Sequence, residues 1–346
     1  MSDRSNHVFG EPVLHFGTPE QAREWVGHTS GRLVCDAEVN GSQIRSFCAL
    51  VRDGNPSYWD REWATSAHGS LLAPPATLMV WSMPLPWMPG DAPVRGPVFA
   101  AAVPLPGDTL INVSTETRFY QPMRVGDQLS FEDEVVAVSS EKQTRLGTGH
   151  FVTTRATYWN QRDERIASHD NVLFRFSAAG RPDSQTADQS DAQSDAQSAA
   201  QTAAQASASQ DRAGDAEAAN TEAIAPIVMP VTLTLCVLDA SATRDFFPGH
   251  HDREYARAQN ARDVYLNTMF FHGLADRLAL DWAGPRARIE RRTLHMLSPV
   301  CVGDTLTATG VVEREDDDRA IIAVDMRTRS APGARARVTV VQSGAG

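Results

Sequence analysis

Cysteine is scarce in this chain. Cys35, Cys48, Cys236 and Cys301 are its four thiols in 346 residues, and no two stand at CxxC spacing. That excludes a disulfide frame and a cysteine zinc site, and it suits single reduced thiols. No basic stripe is present either. Lys and Arg number 32 against 43 Asp and Glu, for a net charge of -11. Such a chain is a poor partner for nucleic acid or an anionic membrane. No apolar run approaches membrane-spanning length, and no apolar h-region follows the polar opening Met1-Ser2-Asp3-Arg4-Ser5-Asn6. Neither a span nor a secretory signal is expected, so the expected location is cytoplasmic. HExxH and 2-His-1-carboxylate spacings are missing, so no metal site is expected. A GxSxG elbow is missing too, which argues against a serine thioesterase.

What the chain does have is a packed-core composition, 42% hydrophobic and 22% charged, with length for two domains. Its organisation falls into three parts. Residues 177–225 are Ala, Gln, Ser and Asp with almost nothing to bury, as in Asp188-Gln189-Ser190-Asp191-Ala192-Gln193-Ser194-Asp195. Such a stretch does not offset its ordering entropy, so a disordered linker is expected there. It separates an N-terminal block, 1–176, from a C-terminal block, 226–346.

The two blocks repeat each other. Asp53-Gly54-Asn55-Pro56-Ser57-Tyr58-Trp59-Asp60 agrees with Asp245-Phe246-Phe247-Pro248-Gly249-His250-His251-Asp252 at the first, fourth and eighth letters. Pro122-Met123-Arg124-Val125-Gly126-Asp127-Gln128-Leu129 likewise matches Pro299-Val300-Cys301-Val302-Gly303-Asp304-Thr305-Leu306. One match is ordinary turn chemistry. Two in the same order point to duplication. The sixth letter of the first motif differs: Tyr58 in one copy, His250 in the other. A carboxylate five residues before a histidine can hold and polarise one water. Tyrosine, with a pKa near 10, is a poor proton shuttle. The downstream half is therefore the expected site of chemistry and the upstream half a binder.

Periodicity gives both halves one plan, a central helix wrapped by a curved antiparallel sheet. In the C-terminal block Val231–Leu238 reads as a buried strand. Tyr265–Leu280 reads as a helix apolar on nearly all sides, stopped by Gly284-Pro285. Strands are expected at Ile289–Leu297, Thr305–Val312, Ala320–Thr328 and Arg335–Val341. In the N-terminal block Ile44–Val51 reads as an amphipathic helix. Thr77–Trp87 reads as a central helix broken by Pro84 and Pro86. Strands are expected at Val98–Val103, Leu110–Tyr120, Leu129–Val138, Thr148–Trp159 and Ile166–Phe176. Trp59, Trp63, Trp81 and Trp87 are candidates for apolar walls of a tunnel, or equally for core.

Strand, Asp/His loop, buried helix and antiparallel strands resemble the hotdog plan. The octet from Asp245 to Asp252 resembles the hydratase-2 motif of MaoC-like dehydratases, Asp-x-Asn-Pro-x-His-x-Asp. Asp245, Pro248, His250 and Asp252 match it, and Phe247 departs at the Asn position. Asp53-Gly54-Asn55-Pro56, Leu72-Ala73-Pro74-Pro75 and Glu141–Gly149 make the first block similar to the N-terminal half of two-domain MaoC-like dehydratases. Asp263–Asn267 and Asp281–Pro285 are similar to relatives acting on bulky acyl-CoAs in steroid side-chain degradation.

The resemblance implies an α+β double hotdog within one chain, and an enoyl-CoA hydratase or 3-hydroxyacyl-CoA dehydratase, (R)-specific. It implies Asp245 and His250 as the acid–base pair, with Asp53, Asn55 and Tyr58 as a vestigial site. An oxyanion donor is expected at the start of the central helix, at Asn267, Thr268 or Gly273. No cofactor is expected beyond the CoA of the acyl-CoA substrate, and a homodimer of chains is compatible. Arg286, Arg288, Arg291 and Arg292 are candidates for the CoA phosphates, or equally a solvated strand face. His251 is expected to be structural or solvent-facing, and Asp252 to cap the turn Arg253–Ala258. Dehydration of a carrier-protein or small branched hydroxyacyl thioester, and a non-enzymatic acyl-binding module, remain alternatives.

Overall fold

The computed structural model describes residues 12–342 except 86, 88, 90–97, 145, 179–221 and 317. Most of the expected linker thus lies outside the described residues. Its two ends do not. Strand β6 (Arg165–Ala178) runs into it, and β7 (Ala223–Pro230) begins before its expected close.

All pairings are antiparallel in one eleven-stranded sheet. The N-terminal block supplies β1 (Leu33–Val34), β2 (Thr109–Phe119), β3 (Ser130–Val138), β4 (Lys142–Gln143), β5 (Gly147–Trp159) and β6. The C-terminal block supplies β7, β8 (Arg288–Met296), β9 (Thr305–Glu315), β10 (Arg319–Arg327) and β11 (Pro332–Val341). The two meet where β2 pairs with β8, from Ser114 opposite His295 to Arg118 opposite Arg291. The chain thereby closes a hotdog pair on itself.

The blocks also repeat at the backbone level. Helices α1 (Pro19–Glu24) and α2 (Gly41–Val51) open the N-terminal block. Short helices α3 (Pro56–Trp59), α4 (Arg61–His68) and α5 (Leu78–Ser82) follow. In the C-terminal block α6 (Leu233–Thr243) precedes α7 (Arg253–Ala258) and α8 (Thr268–Ala283). α2 and α6 are each 11 residues long, capped by Asn40 and Thr232. Each ends on an arginine in the left-handed region, Arg52 (φ 55) and Arg244 (φ 58), and the motif aspartate comes next. A non-glycine residue held there is uncommon, so its recurrence marks a fixed turn that aims the aspartate.

Three sequence expectations need correction. Val231–Leu238 is not a strand: residues from Leu233 belong to α6. The alternation of apolar and β-branched residues misled there, and the Thr232 cap, accepting from Leu235 N, was the better signal. Val98–Val103 holds a 3-10 turn at Phe99–Ala102. The upstream central helix ends at Ser82, well before Trp87, once the chain reaches its prolines. Trp81 is buried, whereas Trp59 and Trp87 are exposed, so the tryptophans do not act as a group.

α8 is the axis of the core and is buried nearly all round from Met269 to Leu280. It is gripped from two sides. A Cβ on Gly273 would lie 2.8 Å from Phe47 Cζ of α2, and one on Gly310 of β9 would lie 2.1 Å from Leu278 Cδ2. Among the described residues no helix is long and apolar enough to cross a membrane.

Polar groups fill the seam under β2 and β8. Arg292 pairs with Asp276 of α8, both buried. His272 Nε2 lies 2.8 Å from Thr115 Oγ1, and His169 Nδ1 lies 2.9 Å from Thr117 Oγ1. The two imidazole rings meet edge to face at 5.9 Å. Burial, reinforced by the Arg292 charge, holds His272 far below the usual histidine range and pushes His169 down to about 3. Both are neutral in the fold. Below pH ~6.5 the unfolded chain takes up protons the fold refuses, so stability falls with pH down to the depressed folded values.

Two predictions follow from the packing and the seam. Gly273→Ala pushes a methyl into Phe47 and lowers the urea unfolding free energy by about 1–3 kcal/mol. Between pH ~6.5 and pH ~4 each seam histidine removes roughly 1.4 kcal/mol of stability per pH unit. Urea midpoints of the wild type and of His169→Gln measured across that range will differ in slope, the wild type being steeper.

Candidate active site

Asp245 and His250 face each other. Asp245 Oδ2 lies 3.6 Å from His250 Nε2, and the side chains are 21% and 8% exposed, so the pair is screened from bulk water yet reachable. The loop that presents them is built from local rules. Phe247 N donates to Asp245 Oδ1 at 3.3 Å, an Asx turn. Pro248 opens a 3-10 turn, Pro248–His250, that lifts the imidazole into place. The upstream copy makes the same Asx turn, with Asn55 N donating to Asp53 Oδ1 at 2.9 Å.

The tautomer of His250 follows from its other nitrogen. Nδ1 lies 2.8 Å from the main-chain carbonyl of Tyr265, which can only accept. Nδ1 therefore carries a proton, and in the neutral ring Nε2 presents a lone pair toward Asp245. Aromatic edges fix the ring plane: Phe247 at 5.5 Å and Tyr265 at 5.1 Å between centroids. Phe247, the departure from the motif, thus supports the imidazole by packing. Gly249 permits this closeness, since a Cβ there would lie 2.6 Å from the Tyr265 hydroxyl and 2.8 Å from Phe247 Cε1.

Asn267, with Asp239 and Thr243, which the sequence reading did not single out, holds the loop to α8. Asn267 caps that helix, accepting from Phe270 N at 3.0 Å. Its Nδ2 donates to Thr243 Oγ1 at 2.6 Å, and the same oxygen accepts from Asp245 N at 3.4 Å. Its own N–H donates to Asp239 Oδ2 at 2.8 Å. Asp239 is fully buried, and burial, with the nearby Asp245 charge, holds its carboxyl well above the usual range. Asp239 and Thr243 escaped notice because the strand expected at Val231–Leu238 stopped short of them and hid the helix on which they stand four residues apart.

The oxyanion candidates now separate. The Asn267 amide is engaged by Asp239, so Asn267 is a cap and not a donor to substrate. Gly273 sits in the second turn, its N–H within the helix and its missing side chain required by Phe47. The first turn leaves Thr268 and its neighbour Met269, whose N–H groups have no intrahelical partner.

The remaining expectations place as follows. His251 Nε2 donates to Phe246 O at 3.0 Å on the exposed side, and Asp252 caps α7 through Glu254 N and Tyr255 N. His272 lies in the seam. Of the four arginines, Arg292 is buried against Asp276, which corrects its assignment to phosphate, and Arg291 bonds Glu116 at 2.9 Å. Arg286 and Arg288 border a cavity beside Tyr58, not the Asp245–His250 pair. In the upstream site Asp53 is buried and pushed up to about 6 by that burial.

Comparison with known proteins now adds to this geometry. The FAS1-like, dehydratase domain region matches residues 24–169, and the MaoC like domain matches residues 216–333. The chain is 38% identical over 107 residues to the 3-oxo-4,17-pregnadiene-20-carboxyl-CoA hydratase beta subunit of Mycobacterium tuberculosis, covering 31% of this chain and 81% of that protein. It is 30% identical over 167 residues to a probable enoyl-CoA hydratase alpha subunit of Thermomonospora curvata, covering 45% of this chain and 51% of that protein. The chain thus spans about half the length of that second relative. A solved MaoC-like dehydratase superposes with a TM-score of 0.69 at 16% identity, covering 93% of this chain and 99% of its own. A FAS1-like region and a MaoC domain on one continuous sheet, with a relative matched over four-fifths of its length, place the chain in the MaoC-like dehydratase family.

Proposed function

We propose that this protein hydrates 2-enoyl-CoA thioesters, with the chemistry in the C-terminal half and a bulky acyl group as substrate. The observation that carries the reading is the opposition of the Asp245 carboxylate to a bare His250 Nε2 at 3.6 Å. Two acceptors that share one water stand about 4.4 Å apart at ordinary hydrogen-bond lengths. Asp245, a fifth exposed, needs only a small rotation to reach that spread.

In the reaction the water donates one hydrogen to Asp245 and the other to His250. Its oxygen attacks C3 of the enoyl group. One water proton passes to the pair and is delivered to C2, so the elements of water add across the double bond. Charge developing on the thioester oxygen is met by the open N–H groups of Thr268 and Met269, where the α8 dipole also favours it. Delivery from one face suits a single stereoisomer, which we assign as (R). The reverse reaction uses the same groups.

Support for the substrate class comes from the relatives, named as an enoyl-CoA hydratase subunit and a pregnadiene-carboxyl-CoA hydratase subunit. Those are separate alpha and beta subunits. Here a FAS1-like region and a MaoC domain share a chain and join through β2 and β8, so one chain assembles the hotdog pair. The upstream half, with Tyr58 in the histidine position, has no place in the proton transfer. A further homodimer is compatible with this arrangement.

Loss of enoyl-thioester absorbance on a panel of enoyl-CoAs tests the activity. Turnover of polycyclic or long-chain substrates ahead of crotonyl-CoA is expected. His250→Ala and Asp245→Asn should each lower kcat by about 10²–10⁴. Unchanged rates in both variants refute the site, and turnover confined to carrier-protein thioesters refutes the substrate class. Thr243→Val leaves the Asn267 amide unpaired beside Asp245. A kcat lower by about tenfold with KM unchanged is expected.

A further inference from the structure

The upstream copy of the motif lost its histidine but kept a pocket. A cavity of about 180 Å³ opens beside it, with a floor of Tyr58, Phe119, Met123, Leu280 and Ile289. Cavities of about 150 Å³ take a ligand the size of benzene, so a short acyl chain fits this one. Its rim carries two cations of an otherwise acidic chain. Arg286 and Arg288 are exposed there, Arg286 with its guanidinium 5.6 Å from the Trp63 ring.

Tyr58 gives the cavity a direction. The residue is 3% exposed and borders the cavity, so its hydroxyl is a donor in the wall of an otherwise largely apolar space. A buried hydroxyl in that position wants an acceptor. Burial, reinforced by Asp53, holds it far above the usual tyrosine range, so it remains a donor at neutral pH. Two other polar groups of the wall engage each other: Ser57 Oγ donates to Pro285 O at 2.9 Å and meets His68 Nε2 at 3.0 Å.

Neither Asp245 nor His250 is among the residues that line the cavity.

We propose that the upstream half is a second, non-catalytic site for a short acyl-CoA. The Tyr58 hydroxyl donates to the thioester carbonyl, the apolar floor takes the chain, and Arg286 and Arg288 meet the phosphates. The choice of acyl-CoA over another anionic amphiphile rests on the proposed function. The size limit and the donor do not. With Tyr58 where His250 stands downstream, this half lacks the Asp–His pair, and the bound thioester is held and released unchanged.

Methionine-methyl NMR on the full chain tests this with butyryl-CoA, a saturated thioester that cannot be hydrated. Met123 lies in the cavity floor and Met269 in the first turn of α8, so the two methyls report the two sites separately. Butyryl-CoA is expected to shift Met123 saturably. Tyr58→Phe should weaken that response about tenfold and Arg288→Ala about threefold, as loss of single charge-assisted or buried hydrogen bonds requires. A shift at Met269 alone overturns the second site and leaves the hydratase reading intact. An equal Met123 response to butyrate shows that the CoA is not recognised and overturns the ligand class. An unaltered response in both variants overturns the assigned contacts.

Discussion

Asn267 joins the two parts of the reaction centre. Its side-chain Oδ1 accepts from Phe270 N and starts α8, its Nδ2 donates to the Thr243 hydroxyl that also accepts from Asp245 N, and its main-chain N–H donates to Asp239. Asn267, Thr243 and Asp239 are buried, so their bonds are made in a low dielectric and each loss would leave a desolvated partner. The N-terminus of α8 and the loop that carries Asp245 are therefore one rigid unit. His250 is fixed to the same unit through Tyr265, two residues before the cap.

The duplication explains why one chain carries a site and its near copy. Both halves present a motif aspartate after an 11-residue helix and a left-handed arginine. They differ where it matters for protons, His250 against Tyr58. They differ in their helices too, since α8 is 16 residues and α5 is 5. The short helix leaves the upstream half dependent on its partner. Gln43 Nε2 reaches Ala242 O at 2.6 Å, Arg277 reaches Val51 O at 2.8 Å, and Gly273 lets α2 press against α8. With Tyr58 at the position of His250, the upstream motif still carries these packing contacts.

Much of this was legible in the sequence. The paired octets located both loops, and the apolar run around Met269–Leu280 located the central helix, because a helix buried on all sides leaves no other pattern. Strand positions from Leu110 onward, β4 and β7 apart, were also readable from alternation. α6 was not, since Thr and Val at alternate positions mimic a strand and only its cap distinguished it. Long-range partners were the other blind spot. Nothing local in Arg292 announces that Asp276 neutralises it, or in Gly273 that Phe47 lies against it. Nor does Asp239 show from its neighbours that it will support a helix terminus 28 residues away.

The account depends on the protonation of one imidazole. Nitrogen-15 NMR of histidine-labelled protein at neutral pH, with His250 identified by its loss in His250→Ala, reads that state directly. The expected spectrum has a protonated Nδ1 and a bare Nε2. A proton found on Nε2 with Nδ1 bare would turn the ring's donor toward the carboxylate and close the place where the water must be held.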